Sequence, residues 1–175
     1  MKSARAGPDR SAIESLYPKA FPDEDLLPML NELLAEETGI LSLVAVAGAD
    51  VVGHVIFTDC AIDGVSARVA LLGPLLVTPD RQRQGIGGRL VRDGFRRLEQ
   101  AGTGWVYVLG DPAYYSRLGF QAEDDVAPPY SVPADELPVE WQGAWQSVSL
   151  RDDGKPPQGR LLVPQPWRQE AMWLP

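Results

Sequence analysis

Between Leu71 and Phe120 an apolar strand runs into a glycine cluster, a helix, a second strand and a tyrosine-rich turn, and any fold of the chain has to accommodate that succession. Val69 to Leu72 and Leu75 to Val77 are almost uncharged, the pattern of a strand buried on both faces. Gly73 and Pro74 interrupt it. Proline donates nothing to a ladder, so a bulge or a stop in the pairing to one neighbour is expected there, leaving main-chain groups for a ligand. Gly85, Gly87 and Gly88 then precede a helix read from Arg89, whose Leu90, Val91, Phe95 and Leu98 recur at helical spacing. Small residues at a helix N-terminus let a ligand touch bare backbone, and the unpaired first-turn amides favour an anion, most simply a phosphate. Arg81, Arg83 and Arg89 make this stretch locally basic in a chain of formal charge -8. Taken alone, a glycine cluster is more often only a turn into a helix, so its neighbours decide.

Two nucleotide fingerprints fail: the spacing is not GxxxxGK[ST], and the three glycines do not complete GxGxxG. Gln82, Gly85 and Gly87 do match the (Q/R)xxGx(G/A) signature of the GNAT superfamily of N-acetyltransferases. Leu75 to Pro79 resemble that family's LxVxP strand end, and Tyr115, Arg117, Gly119 and Phe120 look like its YxxxGF element at the expected distance. The resemblance, to bacterial members, is specific over Leu71 to Phe120 and thinner over Ser3 to Phe57. Past Asp125 it is weak, apart from a Tyr130 to Trp167 arrangement seen in some bacterial branches.

What the resemblance implies is a single GNAT-like domain over residues 1–175, with its motif core at 69–120 and C-terminal strands and loops at 121–175. The implied fold is α/β, a mixed and mostly antiparallel central sheet splayed around a cofactor cleft and flanked by helices on both faces. Acetyl-CoA would lie between the strand ending at Val77 and the one ending at Leu109. Its pantetheine amides would pair with main chain around Leu75, Leu76 and Val77, an N–H at Leu76 or Val77 serving also as oxyanion partner. Its pyrophosphate would sit on the amides of Gln82, Arg83, Gln84, Gly85, Ile86, Gly87 and Gly88. Tyr115 stands where the family often has a tyrosine that donates to the CoA sulfur, with a purely structural role as the alternative. A phenol near ~10 protonating a thiolate of conjugate acid near ~8.5 is uphill by about 2 kcal/mol, so a strengthening hydrogen bond is the more modest role. An amine of pKa near ~10.4 must also lose a proton, and no residue of the sequence is assigned as its base.

The function implied is acetyl transfer from acetyl-CoA to a primary amine, small molecule or peptide, by direct attack in a ternary complex. The alternative is a non-catalytic acyl-CoA sensor or scaffold of the same fold, which would need the glycine loop and not Tyr115. Composition bounds the partners. A chain of 175 residues that is 45% hydrophobic can bury one sizeable core. Its acidity disfavours nucleic acid and anionic membranes. The N-terminus shows no signal-peptide pattern and no run is long enough to span a bilayer, so a cytoplasmic protein, monomer or homodimer, is expected. One cysteine and one histidine supply no structural metal set.

Elsewhere, Ser3 to Ala6 reads as a poor first strand, and Asp9 to Tyr17 as a helix capped by Asp9 or Ser11 and stopped by Pro18. Pro22 to Glu37 reads as a helix led by Asp23, Glu24 and Asp25, with Pro28 disturbing its first turns. Ile40 to Ala47 and Val51 to Asp59 form a hairpin turning at Gly48 to Asp50, and Asp63 and Gly64 turn the chain into Val65 to Val77. Trp105 to Leu109 should run parallel to that last strand by the usual crossover. Trp145 to Leu150 and Arg160 to Val163 read as a final strand pair joined by a turn at Asp152 to Gly154, set among Pro128, Pro129, Pro133 and Pro138. His54, inside a strand, reads as a structural hydrogen-bonding residue, and Glu123 to Asp125 as a solvated acidic loop.

Overall fold

A computed structural model describes residues 2–3, 8–130, 138–151 and 156–173; the turn expected at Asp152 to Gly154, Pro133, and Ala4 to Ala6 of the expected first strand lie outside them. The chain divides into two compact units, Met1–Thr58 with Leu72–Arg97 and Asp59–Leu71 with Leu98–Pro175. Among the described residues the fold is mixed α/β with a mostly antiparallel sheet, as expected, in the hydrogen-bonded order β1-β2-β3-β4-β5-β8-β6, with residue ranges as follows. No helix among these residues is long and apolar enough to cross a membrane, and no group of three His, Cys, Asp or Glu side chains stands where a metal could be held.

In the first unit β1 (Lys2–Ser3) pairs antiparallel with β2 (Ile40–Ala47), which pairs with β3 (Asp50–Ile62) from Ile40↔Thr58 to Ala47↔Asp50. Three short helices precede the hairpin: α1 (Pro8–Glu14), α2 (Tyr17–Ala20) and α3 (Leu27–Ala35). Two prolines behave differently from expectation. Pro18 opens α2 instead of ending the helix before it, and Pro28 sits in the first turn of α3 without disturbing it. A first-turn amide has no intrahelical acceptor, so proline loses nothing there and its fixed φ suits the helix. Asp23, Glu24 and Asp25 consequently precede α3, with Asp25 Oδ1 accepting from the Leu27 N–H at 3.3 Å.

His54 of β3 is fully buried, and its ring bridges two elements: Nδ1 lies 3.0 Å from the Tyr17 hydroxyl and Nε2 2.8 Å from Ser42 Oγ. The structural reading of this residue therefore holds. Burial disfavours the imidazolium and pushes its pKa down to about 3.

Strand β4 (Val65–Val77) leads to α4 (Ile86–Gln100), which packs on β3 through glycines. A Cβ on Gly94 would fall 2.1 Å from Phe57 Cε2, and one on Gly53 would meet the Leu76 carbonyl oxygen at 3.1 Å and Leu90 Cδ1 at 3.2 Å. Phe57 is buried and also meets Phe95 edge-on, so its ring has little room to withdraw.

In the second unit β4 pairs parallel with β5 (Trp105–Leu109) over Val69↔Trp105 to Leu71↔Tyr107. That register ends ahead of Gly73 and Pro74, in keeping with the expected stop in pairing. After α5 (Pro112–Tyr115) come β6 (Gln121–Ala122), β7 (Val126–Ala127), β8 (Trp145–Ser149) and β9 (Gly159–Leu162). The last two strands do not form the expected pair. β8 lies antiparallel between β5 and β6, whereas β9 pairs with Ala61 and Ile62 of β3 and with β7. Trp residues link the elements of this C-terminal region: Trp145 stacks on Tyr107 at 5.6 Å, and Trp173 packs against both Trp145 and Trp167 while its Nε1 donates to the Trp167 carbonyl at 2.9 Å.

Two outcomes are expected. Gly94→Ala gains helix propensity but overpacks the Phe57 ring, for a net loss of about 1–3 kcal/mol in urea unfolding. Pairing it with Phe57→Leu should recover part of that loss, and strict additivity in the double-mutant cycle would show that the contact is unimportant. Separately, between pH 6.5 and about 3 the unfolded chain binds a proton at His54 that the native chain does not, so this residue removes stability as the pH falls. The slope from this one group is about 1.4 kcal/mol per pH unit, and His54→Gln should flatten the acid limb of the stability profile accordingly. An unchanged slope would mean that the imidazole charges normally in the native protein.

Candidate active site

At the end of β4 the Thr78 N–H donates to the Val52 carbonyl at 2.9 Å, and a single 3-10 turn, Pro79–Arg81, follows. Two glutamines then tie the loop back: Gln82 Nε2 donates to the Val77 carbonyl at 3.2 Å and Gln84 Nε2 to the Asp80 carbonyl at 3.3 Å. Arg83 and Gly85 take left-handed backbone, with φ of 57 and 74. Backbone of this kind turns neighbouring N–H groups toward a common concavity, and at residue 85 glycine adopts it without strain.

α4 begins at Ile86, three residues ahead of the start read from its apolar periodicity, because Gly87 and Gly88 carry no side chain for a periodic pattern to show. The Arg89 N–H donates to the Gly85 carbonyl at 3.1 Å, the first rung of the helical ladder. The amides of Ile86, Gly87 and Gly88 precede that rung and have no intrahelical acceptor. Gln82 to Gly85 are exposed, while Ile86 is buried against the position of Gly53. Leu75, Leu76, Val77 and the whole Gln82 to Gly88 loop thus belong to the first unit, as a strand end and a helix N-terminus joined by one short connection.

Tyr115 belongs to the second unit, at the end of α5. Asp111 caps this helix, its Oδ1 accepting from the Ala113 N–H at 2.8 Å, and Pro112 occupies its first turn. The phenol ring is clamped edge-on by Tyr114 at 5.0 Å and Phe120 at 5.4 Å. It also lies over Gly110, where a Cβ would come within 2.6 Å of the ring. Burial, with smaller contributions from Tyr114 and Asp111, pushes its pKa above the ordinary tyrosine value. The hydroxyl therefore keeps its proton at neutral pH and is available as a donor.

Glu123 is not simply a solvated acid: its Oε1 accepts from the N–H groups of Asp125 and Val126 at 2.7 and 2.9 Å. Gly53, Gly110 and Asp111 position the candidate residues without having been singled out from the sequence. For Gly53 the signal was present, since a glycine inside an apolar strand marks a close approach of another element. Thr78 Oγ1, at the start of the loop, is buried without a hydrogen-bond partner among the described residues.

Comparison with known proteins identifies the family. The family model described as the acetyltransferase (GNAT) domain matches residues 39–122, a span that includes both the loop and Tyr115. YjhQ, an uncharacterised N-acetyltransferase of Escherichia coli (strain K12), is 36% identical over 147 residues, covering 81% of this chain and 80% of that protein. The structure of the GNAT family N-acetyltransferase YhbS from Escherichia coli in complex with CoA is similar with a TM-score of 0.82 and 25% identity, over 94% of this chain and 89% of that one. A GNAT family acetyltransferase from Brucella melitensis in complex with acetyl-CoA is similar with a TM-score of 0.74 and 29% identity, over 95% and 96% of the two chains. With its loop, its tyrosine and four-fifths of a relative's length accounted for, the chain belongs to the GNAT family of N-acetyltransferases.

Proposed function

We propose that the chain moves an acetyl group from acetyl-CoA to a primary amine by direct attack in a ternary complex. The observation that carries this reading is the start of α4, where the amides of Ile86, Gly87 and Gly88 stand ahead of the first helical rung beside a left-handed Gly85. Such a cradle fits a diphosphate, and two similar structures hold CoA or acetyl-CoA. When bound, acetyl-CoA supplies an activated thioester carbonyl and a thiolate leaving group.

The chain's own residues would then divide the work. Gln82 to Gly88 hold the diphosphate through main-chain N–H groups. Leu75, Leu76 and Val77 pair their backbone with the pantetheine amides, and an N–H of Leu76 or Val77 stabilises negative charge on the thioester oxygen. Tyr115 donates a hydrogen bond to the departing sulfur. Its raised pKa makes full proton transfer still less favourable than for an ordinary phenol, so the hydroxyl acts by a bond that strengthens as charge develops and not by giving up its proton. The acceptor is a small-molecule or peptide amine that must reach the carbonyl neutral, since only the unprotonated nitrogen has a lone pair.

Thiol release from acetyl-CoA across a panel of amines tests the reading, and cofactor binding with no release on any amine would instead identify a non-catalytic acyl-CoA sensor. Tyr115→Phe should lower kcat about a hundredfold with acetyl-CoA affinity unchanged, and parallel losses in both would remove the hydroxyl from the chemistry. Gly87→Asp places a carboxylate where the diphosphate would sit. Gly87 is buried, so a circular-dichroism melt first establishes that the variant folds; acetyl-CoA binding in calorimetry should then be lost, and wild-type affinity would exclude the loop.

A further inference from the structure

Residues two apart on a strand share a face, and so do residues paired across a ladder. Val65 and Ala67, at the start of β4, therefore lie on the same side of the sheet as Val69 and, through the Val69↔Trp105 pairing, as Trp105. Trp105 opens β5, whereas Tyr115 follows the other end of that strand in α5.

Val65, Ala67 and Trp105 line a cavity of about 590 Å³. Its other walls come from Pro156, Pro157, Gln158 and Asp125, and every lining residue belongs to the second unit. The volume falls within the roughly 300–1,000 Å³ typical of small-molecule sites. It is also open to a ligand, since the indole of Trp105 is only half-buried and Asp125 is exposed. One indole, two prolines, a valine and an alanine make the walls mostly apolar, with Asp125 and Gln158 as the polar groups. Those two are placed by strand pairing. Asp125 precedes β7 and Gln158 precedes β9, and these strands run parallel from Val126↔Gly159. The Gly159 N–H donates to the Asp125 carbonyl at 3.1 Å, and Gln158 Nε2 donates to Asp125 Oδ1 at 3.1 Å.

The donor that holds this carboxylate is neutral, so its charge is not compensated. Among the described residues no Lys or Arg forms an ion pair with Asp125. Two arginines next in sequence to strand residues of this region are engaged with other groups. Arg68 alternates to the opposite face from Ala67, where it meets the Ala101 carbonyl and Asp59, and Arg160 donates to the carbonyls of Pro128 and Pro129.

The ligand chemistry follows from these walls. An anion would be repelled by Asp125, a neutral apolar molecule would leave the carboxylate uncompensated, and a small inorganic cation would leave the apolar walls uncovered. An apolar body carrying one protonated nitrogen meets both demands. Its body covers the prolines and the indole, and its charge is favoured by the carboxylate and by the face of an indole. We propose that this cavity binds a small arylalkylammonium ion, at a site made of none of the residues assigned to acetyl transfer. The proposal does not depend on the acetyltransferase reading.

Calorimetric titration of the full chain with protonated dimethylphenethylamine tests it. This tertiary amine offers one ammonium donor but has no second N–H to exchange for an acetyl group, so it reports binding and not acceptor turnover. It should bind the wild-type protein roughly tenfold more tightly than neutral phenethyl alcohol, and anionic hydrocinnamate should not bind. Asp125→Asn keeps an oxygen that can accept from Gln158 and removes the charge. Amine affinity in that variant should drop to that of the alcohol, whose own binding should not change. Ala67→Leu fills the cavity and leaves Asp125 in place, so it should weaken amine and alcohol together, with circular-dichroism melts establishing that both variants fold. No amine binding to the wild type, equal affinity for amine and alcohol, or wild-type amine affinity in Ala67→Leu each overturns the proposal.

Discussion

Helix α4 lies on β3 at a separation that only residues without a Cβ permit. At Gly94 an added Cβ would sit 2.1 Å from the Phe57 ring, and at Gly53 it would crowd Leu90 at 3.2 Å and Ile86 at 3.4 Å. The first turn of the helix is thereby pinned by two buried side chains, Ile86 and Leu90, reaching into the space that Gly53 leaves. Its free amides are aimed by core packing, before any anion is present. On the proposed reading, an anion held there would meet backbone that needs little ordering, which is where much of the affinity of such a cradle originates. The left-handed residues Arg83 and Gly85 complete it from the loop side, and the Gln82 and Gln84 amides hold that loop to the chain on either side of its 3-10 turn.

Much of this was legible because it is local. The bounds of Val65–Val77 and Trp105–Leu109 follow from apolar runs bracketed by Gly, Pro and charge, and the glycine signature identifies the loop. What failed was of two kinds. Prolines 18 and 28 carry the same local signal whether they end a helix or begin one, and only the surrounding packing distinguishes the cases. The pairing of β8 with β5 and β6, and of β9 with β3 and β7, is set by contacts far apart in sequence, which no short-range pattern encodes. The site shows the same division. Tyr115 was readable as part of a motif, but the glycine beneath its ring at Gly110 and the cap at Asp111 were not, since their roles exist only once α5 has folded.

Two tyrosines of the second unit illustrate how environment separates roles for one side-chain type. Both phenols have raised pKa values with burial as the largest cause, so both remain protonated at neutral pH. Their neighbours differ. Tyr115 is clamped between aromatic rings and a glycine, a setting that fixes direction, with Asp111 only a lesser cause of its raised pKa. Tyr107 is stacked on an indole with Glu123 and Asp125 within reach, a setting that adds negative potential. A hydroxyl held between rings, where burial outweighs the nearby carboxylate, is suited to donate toward developing negative charge. One whose raised pKa owes part of its shift to carboxylates sits in negative potential that would oppose that charge.

The same contrast runs through the distribution of charge. The chain carries -8 overall, and the loop with Arg81, Arg83 and Arg89 stands out as basic within it. Asp80, in the turn that leads into that loop, pairs with Arg81 at 3.3 Å. An exposed pair of this kind adds little to stability. A surface that is otherwise acidic raises the local concentration of cationic amines and repels free anions over longer range. Salt at physiological strength limits that long-range effect to about 8 Å, whereas hydrogen bonds from main-chain amides act at contact. If the α4 N-terminus holds an anionic acetyl carrier as proposed, that carrier owes its affinity chiefly to fixed backbone, whose contact-range hydrogen bonds are the part that salt screens least.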